Sequence, residues 1–249
     1  AAVGTEESKT LSLYLTVLFT QWSEGDAQAA YHDALLAETD FDAFAPLHLL
    51  RFAEVAAVRR ETWRVRQAYD YFTEHFGASE QALDMANIGV ASLIEDTDYV
   101  AALDLAQETL EEYPGELSAA LTQKLEGDAL RLMERYDEAV DVYNELLKVR
   151  AWRGPLTPQA LYWTAVCKKS LGDTEKAFAY FQRVYVLYSE YPEWVATAYA
   201  GSIDCLRELG REEELAQTWR EMVAIPEVAR QPEGIAAQAE LDALQEGKF

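Results

Sequence analysis

Apolar residues recur along most of this chain at intervals of three and four, the spacing that places them on one face of an α-helix. The pattern is clearest in residues 121–148, where two short amphipathic segments are joined by a tight turn. Gly127 and Ala129 are small residues that would let the second segment close on the first, and Tyr143 and Leu146 continue the apolar face of the second. The stretch therefore predicts a helix-turn-helix unit.

The same setting recurs along the chain. Ala139 stands early in the second helix of the clearest unit, and equivalent positions are found on both sides of it. The separations between successive anchors are 38, 34, 37, 38 and 38 residues. A period near this length with two helices in each unit is typical of stacked helical repeats. The six anchors are Ala30, Ala68, Ala102, Ala139, Ala177 and Leu215.

The helix-turn-helix at residues 121–148 resembles a tetratricopeptide repeat (TPR), and the resemblance covers about residues 9–223. It implies an all-α, right-handed helical solenoid of about six TPR-like helix-turn-helix repeats plus a C-terminal capping helix. We expect residues 1–249 to form a single domain. The expected repeats span about residues 9–44, 45–78, 79–114, 115–156, 157–191 and 192–225, with the capping helix at about 232–246.

Proline and glycine mark where the helices should begin and end. Thr157 and Pro158 read as an N-cap followed by proline at the first helical position, and Pro192 would open a helix in the same way. Gly172 and Gly210 stand between paired helices, where glycine readily adopts a left-handed C-cap. The predicted helices cover residues 9–22, 26–38, 45–60, 62–76, 79–94, 98–112, 115–133, 136–149, 157–171, 174–190, 192–209, 212–223 and 232–246.

The longest break in the pattern is residues 149–158, which could be a domain boundary or a loop between repeats. The 38-residue spacing between Ala139 and Ala177 passes through it unshifted. We therefore predict a loop between repeats.

Charge narrows the classes of partner. The chain has 44 Asp and Glu against 21 Lys and Arg, a formal net charge of −23. This argues against nucleic acid and against an anionic membrane surface, since both require a basic footprint. No apolar run approaches the ~18–20 residues needed to cross a bilayer, so we expect no membrane insertion.

Cys167 and Cys205 are two isolated cysteines and are best explained as small buried apolar residues.

The residues that most often carry catalysis are scattered. His32, His48 and His75 lie on three different segments, and neither a metal-binding His motif nor a phosphate-binding glycine loop accompanies them. Pairs of carboxylates are frequent, but on helix surfaces such pairs are normally solvated. We predict that the protein is not an enzyme and needs no cofactor or metal.

In the TPR family, the first helix of each repeat lines a concave groove. The resemblance therefore implies that one residue in the later part of the first helix of each repeat faces a partner. These residues are Trp22, Arg60, Leu93 or Ile94, Arg131, Lys169 and Arg207. A second groove position holds Lys124 in repeat four and Tyr162 in repeat five.

Lys124, Arg131, Tyr162, Lys169 and Arg207 are thus the predicted peptide-binding residues. A row of cations would receive an acidic segment or a C-terminal carboxylate, because the guanidinium fork of arginine pairs with carboxylates in two hydrogen bonds. The alternative is that these cations only complement helix dipoles and are neutralised nearby. The candidate neutralising residues are Asp128, Asp204 and Glu208.

The sequence accordingly predicts a non-catalytic scaffold that binds a protein or peptide in its groove. The alternatives are a structural spacer or oligomerisation arm, and an accessory domain of a larger enzyme or envelope complex. An aromatic-proline ending such as YPEW at residues 191–194 is similar to bacterial envelope repeat proteins of the Tol-Pal coordinator and outer-membrane-assembly lipoprotein type. This similarity favours the bacterial periplasm or cell envelope over the cytoplasm.

Overall fold

The computed structural model describes residues 26–245, and within that range the regular structure is helical, with no strand. Two short 3-10 helices, Phe41–Ala43 and Arg150–Trp152, interrupt the series of α-helices. The α-helices of the described range are α1 (Asp26–Ala37), α2 (Pro46–Val58), α3 (Thr62–Phe76), α4 (Ala82–Glu95), α5 (Tyr99–Glu112), α6 (Ala119–Leu132), α7 (Tyr136–Lys148), α8 (Leu156–Ser170), α9 (Thr174–Leu187), α10 (Pro192–Glu208), α11 (Glu212–Val223), α12 (Pro226–Ala229) and α13 (Pro232–Gln245).

The chain divides into two compact units, one ending at Pro114 and the other beginning at Gly115. Residues 149–158 lie inside the second unit. The expectation that residues 1–249 form one domain stays a prediction. The helix expected over residues 9–22, and with it Trp22, lies outside the described residues.

The first unit packs α2 against α3, α3 against α4 and α4 against α5. A cluster of aromatic rings closes its core near the start of α2. The ring of Phe41 lies 5.1 Å from that of Phe52 and 5.6 Å from that of Phe44. All three rings are buried, and edge-to-face packing of this kind adds to the free energy gained by burying apolar surface. This cluster fixes the segment between α1 and α2.

The second unit packs its helices in sequence from α6 to α11, with α13 against α11. Its core includes Phe181 of α9, Leu206 of α10 and Met222 of α11. The capping helix α13 buries Ala237 and Leu241 against this core, as the sequence predicts for a terminal cover.

The repeat register derived from the sequence is confirmed where it can be checked. The anchor residues in the second helix of repeats two to six are buried, whereas the side chain of Ala30 lies outside the described residues. The bounds of the described helices fall within a few residues of the predicted ones. Small side chains here allow the paired helix to approach closely. The buried anchors are Ala68, Ala102, Ala139, Ala177 and Leu215.

One turn recurs between the two helices of every described pair. In repeat five, Gly172 has φ of +80°, its N–H donates to the Lys169 carbonyl, and the next N–H, that of Asp173, donates to the Lys168 carbonyl. This is the Schellman pattern, which satisfies the last carbonyls of a helix. The predicted caps at Gly172 and Gly210 are confirmed. The equivalent residues with positive φ are Arg60, Thr97, Glu134, Gly172 and Gly210.

The start of α8 differs from the sequence-based expectation. The helix begins at Leu156, so Thr157 is not its N-cap and Pro158 is its third residue. The Thr157 hydroxyl accepts from the backbone N–H of Gly154, 3.2 Å away. Proline is tolerated here because a first-turn N–H has no acceptor within the helix. Pro192 does open α10 as predicted.

We expect Ala177→Arg to unfold the second unit, because Ala177 is fully buried and a guanidinium cannot be accommodated there without losing its hydration. The expected loss of unfolding free energy is on the order of 4 kcal/mol or more. Thermal unfolding followed by circular dichroism measures it. The matched control is Ala236→Arg in α13, an exposed alanine whose replacement should leave the melting temperature nearly unchanged. Equal melting temperatures for the two variants would contradict the register.

Gly172→Ala should lower the free energy of unfolding by about 1 kcal/mol, because an alanine Cβ is strained at φ of +80° even though nothing surrounds it. Gly154→Ala is the control, since Gly154 also has open space around it but is not among the glycines with positive φ. Denaturant unfolding compares the two. A loss of the same size in both variants would show that the turn geometry is not the cause.

Candidate functional site

A cavity of about 440 Å³ lies in the second unit between α8 and α10, with the start of α13 at its edge. We call it the α8–α10 pocket. It exists because of a change in residue size between repeats. Ala200 occupies the α10 position that matches Tyr162 in α8, and its small size leaves room beside the helix. The side chains that give the pocket its chemistry are Tyr162, Lys169, Phe181, Asp204, Glu208 and Glu233.

Aromatic rings form one wall of the pocket. The Tyr162 ring lies 5.5 Å from the ring of Phe181 and 5.5 Å from that of Trp194. Phe181 approaches the backbone of α10 so closely that a Cβ on Gly201 would lie 2.5 Å from its ring. Gly201 is therefore required for this wall. A flat apolar surface beside polar groups is the usual composition of a binding cavity.

Carboxylates surround the lysine of the pocket. Lys169 Nζ lies 2.9 Å from Glu208 Oε1 and 3.8 Å from Asp204 Oδ2. Burial by itself lowers the pKa of Lys169, but the hydrogen bond to Glu208 and the charge of Asp204 outweigh burial, and the pKa is raised. Lys169 therefore remains charged at neutral pH, and its charge is offset within the pocket.

Glu233 brings a third carboxylate to the pocket from the first turn of α13. Burial raises the pKa of the Tyr162 hydroxyl, and Glu233 is the carboxylate that raises it most. The two groups are therefore close enough to interact. Among the residues that the structure describes, no cation forms an ion pair with Glu233.

Two of the predicted groove residues, Lys124 and Arg131, belong to a buried network in α6. Lys124 Nζ lies 2.6 Å from Asp128 Oδ2, and the Tyr143 hydroxyl donates to Asp128 Oδ1 at 2.6 Å. Burial, followed by the charge of Asp128, raises the pKa of Tyr143 far above its usual range. Arg131 lies 3.8 Å from Asp128 and stacks on the Trp163 ring, 3.9 Å from its centroid. These contacts join α6 to α7 and α8.

Arg207 forms its ion pairs near the capping helix α13. Its guanidinium lies 3.3 Å from Glu240 Oε1 of α13 and 3.7 Å from Asp204 Oδ1. It also lies over the Trp219 ring at 5.5 Å. Arg207 therefore connects α10 to the capping helix at the surface of the unit.

The structure thus brings Tyr162 and Lys169 together in the pocket, whereas Lys124, Arg131 and Arg207 make the contacts described above outside its lining. Each of the four predicted cations has a carboxylate within ion-pair distance. The role of these five residues in peptide binding stays a prediction.

The structure corrects the position of Arg60, which the sequence analysis treats as equivalent to Arg131, Lys169 and Arg207. Arg131, Lys169 and Arg207 each stand three residues before the left-handed turn residue of their repeat. Arg60 is itself that turn residue in repeat two, and Ala57 is the true equivalent. The row of cations is therefore confined to α6, α8 and α10.

Sequence reasoning missed Glu233, because nothing in the sequence indicates that the start of α13 lies beside the middle of α8 and α10. It also missed the Tyr143–Asp128 hydrogen bond. A signal was present, since a buried polar ring needs a partner and Asp128 lies on the helix that Tyr143 was expected to contact. The small residue Ala200, where α8 has Tyr162, is likewise a sequence signal of extra space.

Other candidate chemistry is limited in the described residues. Burial raises the pKa of the Cys167 and Cys205 thiols to about 11, so both are protonated at neutral pH. Within residues 26–245, no group of three or more His, Cys, Asp or Glu side chains is arranged to hold a metal ion. No helix in the same range combines the length and apolar character needed to span a membrane.

A family model for the tetratricopeptide repeat matches residues 159–191, which comprise most of α8 and all of α9. This is repeat five, one of the two units with the clearest pattern. No curated relative matches the chain by sequence.

Solved structures of TPR-like proteins superpose on larger parts of the chain. The apo form of RapI aligns with a TM-score of 0.63 at 14% identity, covering 94% of this chain and 98% of that one. Nearly identical TPR-like repeats of a Podosopora anserina kinesin light chain align with a TM-score of 0.60 at 11% identity, covering 76% and 97%. A Rap protein complexed with competence and sporulation factor gives 0.57 at 14%, covering 98% and 82%. The chain therefore has an all-α TPR-like fold.

Tyr143→Phe should lower the free energy of unfolding by roughly 2 kcal/mol, because the buried Asp128 carboxylate would lose a hydrogen-bond donor. Denaturant unfolding of Tyr143→Phe, Asp128→Ala and the double variant gives the coupling between the two residues. In the Asp128→Ala background, removing the hydroxyl should cost less than ~0.5 kcal/mol, since its partner is gone. The same cost in both backgrounds would contradict the proposed network.

Proposed function

We propose that the protein is a non-catalytic scaffold that binds a segment of a partner protein or a peptide at the α8–α10 pocket. The observation that carries this proposal is the pocket itself, a cavity of about 440 Å³ that combines an aromatic wall with charged groups. Because helices on both sides hold its walls, the site is formed before a partner arrives, and binding needs little reorganisation.

The structural likenesses support a scaffold. The Rap protein among them was solved in complex with competence and sporulation factor, so a chain of related fold holds a partner. Helical repeats suit this task because stacking gives an extended, preformed surface. The polar groups of the pocket also fit binding, since Lys169 is held by Glu208 and Asp204.

The partner expected from the sequence, an acidic segment or a C-terminal carboxylate, would have to compete with the protein's own carboxylates. Lys169 already forms ion pairs with Asp204 and Glu208. Lys124 and Arg131 both pair with Asp128. An acidic partner at these residues, and a location in the bacterial envelope, stay predictions. A spacer role and an accessory role in a larger complex are the alternatives, and neither requires an occupied pocket.

Site-specific photo-crosslinking tests the proposal. Thr197, which lines the pocket, is replaced by p-benzoylphenylalanine, and the full chain is irradiated in lysate of the source cell. The control places the same residue at Val186, an exposed position of α9 outside the pocket lining. We expect a discrete partner, identified by mass spectrometry, to crosslink from position 197 and not from position 186.

Crosslinks of equal yield from both positions would show adventitious contact, and they would contradict a site in the pocket. Absence of any crosslinked partner at position 197, with the variant folded by circular dichroism, would favour the spacer role.

A further inference from the structure

We propose that the α8–α10 pocket receives a basic side chain, lysine or arginine, of the partner segment. This inference rests on the proposed function and gives the partner the opposite charge to the one expected from the sequence.

Negative charge exceeds positive charge in the pocket lining. Three carboxylates, those of Asp204, Glu208 and Glu233, face one ammonium, that of Lys169, so the lining has a formal excess of two negative charges. An acidic side chain entering the pocket would add to this excess, whereas a basic one would reduce it. Like charges placed side by side repel and opposite charges attract, so the pocket favours a basic side chain over an acidic one.

The carboxylates differ in how fully they are already engaged. Glu208 accepts from Lys169 at 2.9 Å through one oxygen and from the Thr174 hydroxyl at 3.3 Å through the other. Asp204 has two long ion-pair contacts within residues 26–245, 3.8 Å to Lys169 and 3.7 Å to Arg207. Glu233 forms no ion pair among the described residues. Glu233 is therefore the carboxylate most open to an incoming cation, and Asp204 is the second most open.

The rest of the pocket suits the stem of a lysine or arginine side chain. The Tyr162 and Phe181 rings form an apolar wall beside the carboxylates, against which the methylene groups can pack. A cation close to an aromatic face is also stabilised by the charge distribution of the ring. The protein uses the same chemistry internally, where Arg131 stacks on Trp163 at 3.9 Å while facing Asp128.

The charge of the whole chain acts in the same direction. A formal net charge of −23 attracts basic segments from a distance and repels acidic ones. Raising the ionic strength should therefore weaken the affinity for a basic partner. Salt screens both the long-range attraction and the contact at the half-exposed Glu233.

Peptide display on the full chain tests the inference. A random twelve-residue library is selected against the wild-type protein, and enriched peptides are synthesised for measurement of Kd by fluorescence anisotropy. We expect the enriched peptides to share one lysine or arginine. Glu233→Gln should weaken their binding roughly tenfold, the effect of losing one charged hydrogen-bond acceptor. Glu227→Gln, the same change at an exposed residue of α12 outside the pocket, should alter Kd less than about twofold.

Replacing the shared basic residue of the peptide by glutamine should produce the same loss, and combining it with Glu233→Gln should add little further loss. Enriched peptides that depend on Asp, Glu or a free C-terminal carboxylate would overturn the inference while leaving the proposed function in place. Independence from Glu233 would overturn it as well. Failure to enrich any peptide on the wild-type chain would count against the proposed function itself.

Discussion

Close approach of neighbouring helices, at positions that admit only a small side chain, is the constraint on which this structure depends. A Cβ on Gly127 would lie 2.5 Å from the Tyr143 ring, and a Cβ on Gly201 would lie 2.5 Å from that of Phe181. The fully buried anchor alanines serve the same end in the second helix of each repeat. Beside Ala200, at the α10 position that matches Tyr162 in α8, the same packing leaves the α8–α10 pocket. Stability and the candidate site thus have one origin.

The protein has few cations, and several of them pair with its own carboxylates. Arginine and lysine are outnumbered about two to one, and Lys124, Arg131, Lys169 and Arg207 each pair with a carboxylate of the chain. Lys124 and Arg131 flank the buried Asp128, and Arg207 ties α10 to the capping helix. Such pairs compensate the desolvation of buried charge and fix the positions of helices more than they add stability. The groups of the pocket that remain available to a partner are the carboxylates of Glu233 and Asp204, and they give the pocket a negative charge.

Much of the fold follows from the sequence, because periodicity near 37 residues and the 3.6-residue helical period are both local signals. The turn at Gly172 and the burial of Ala177 are examples. The site was less predictable, because it depends on distances between helices that are far apart in the chain. The sequence indicates Tyr162 and Lys169, with Asp204 and Glu208 as candidate neutralising residues. It does not indicate Glu233, which lies on a helix more than sixty residues from Lys169. A row of basic residues therefore suggested an acidic partner, while the folded chain presents an acidic pocket.

A crystal structure of the full chain with a bound partner segment would test the central claim most directly. The account predicts electron density for the segment between α8 and α10, with a lysine or arginine side chain against the Tyr162 ring and its charged group within hydrogen-bond distance of Glu233. A segment bound elsewhere with the pocket empty, or an acidic side chain seated on Lys169 after displacing Glu208, would contradict it.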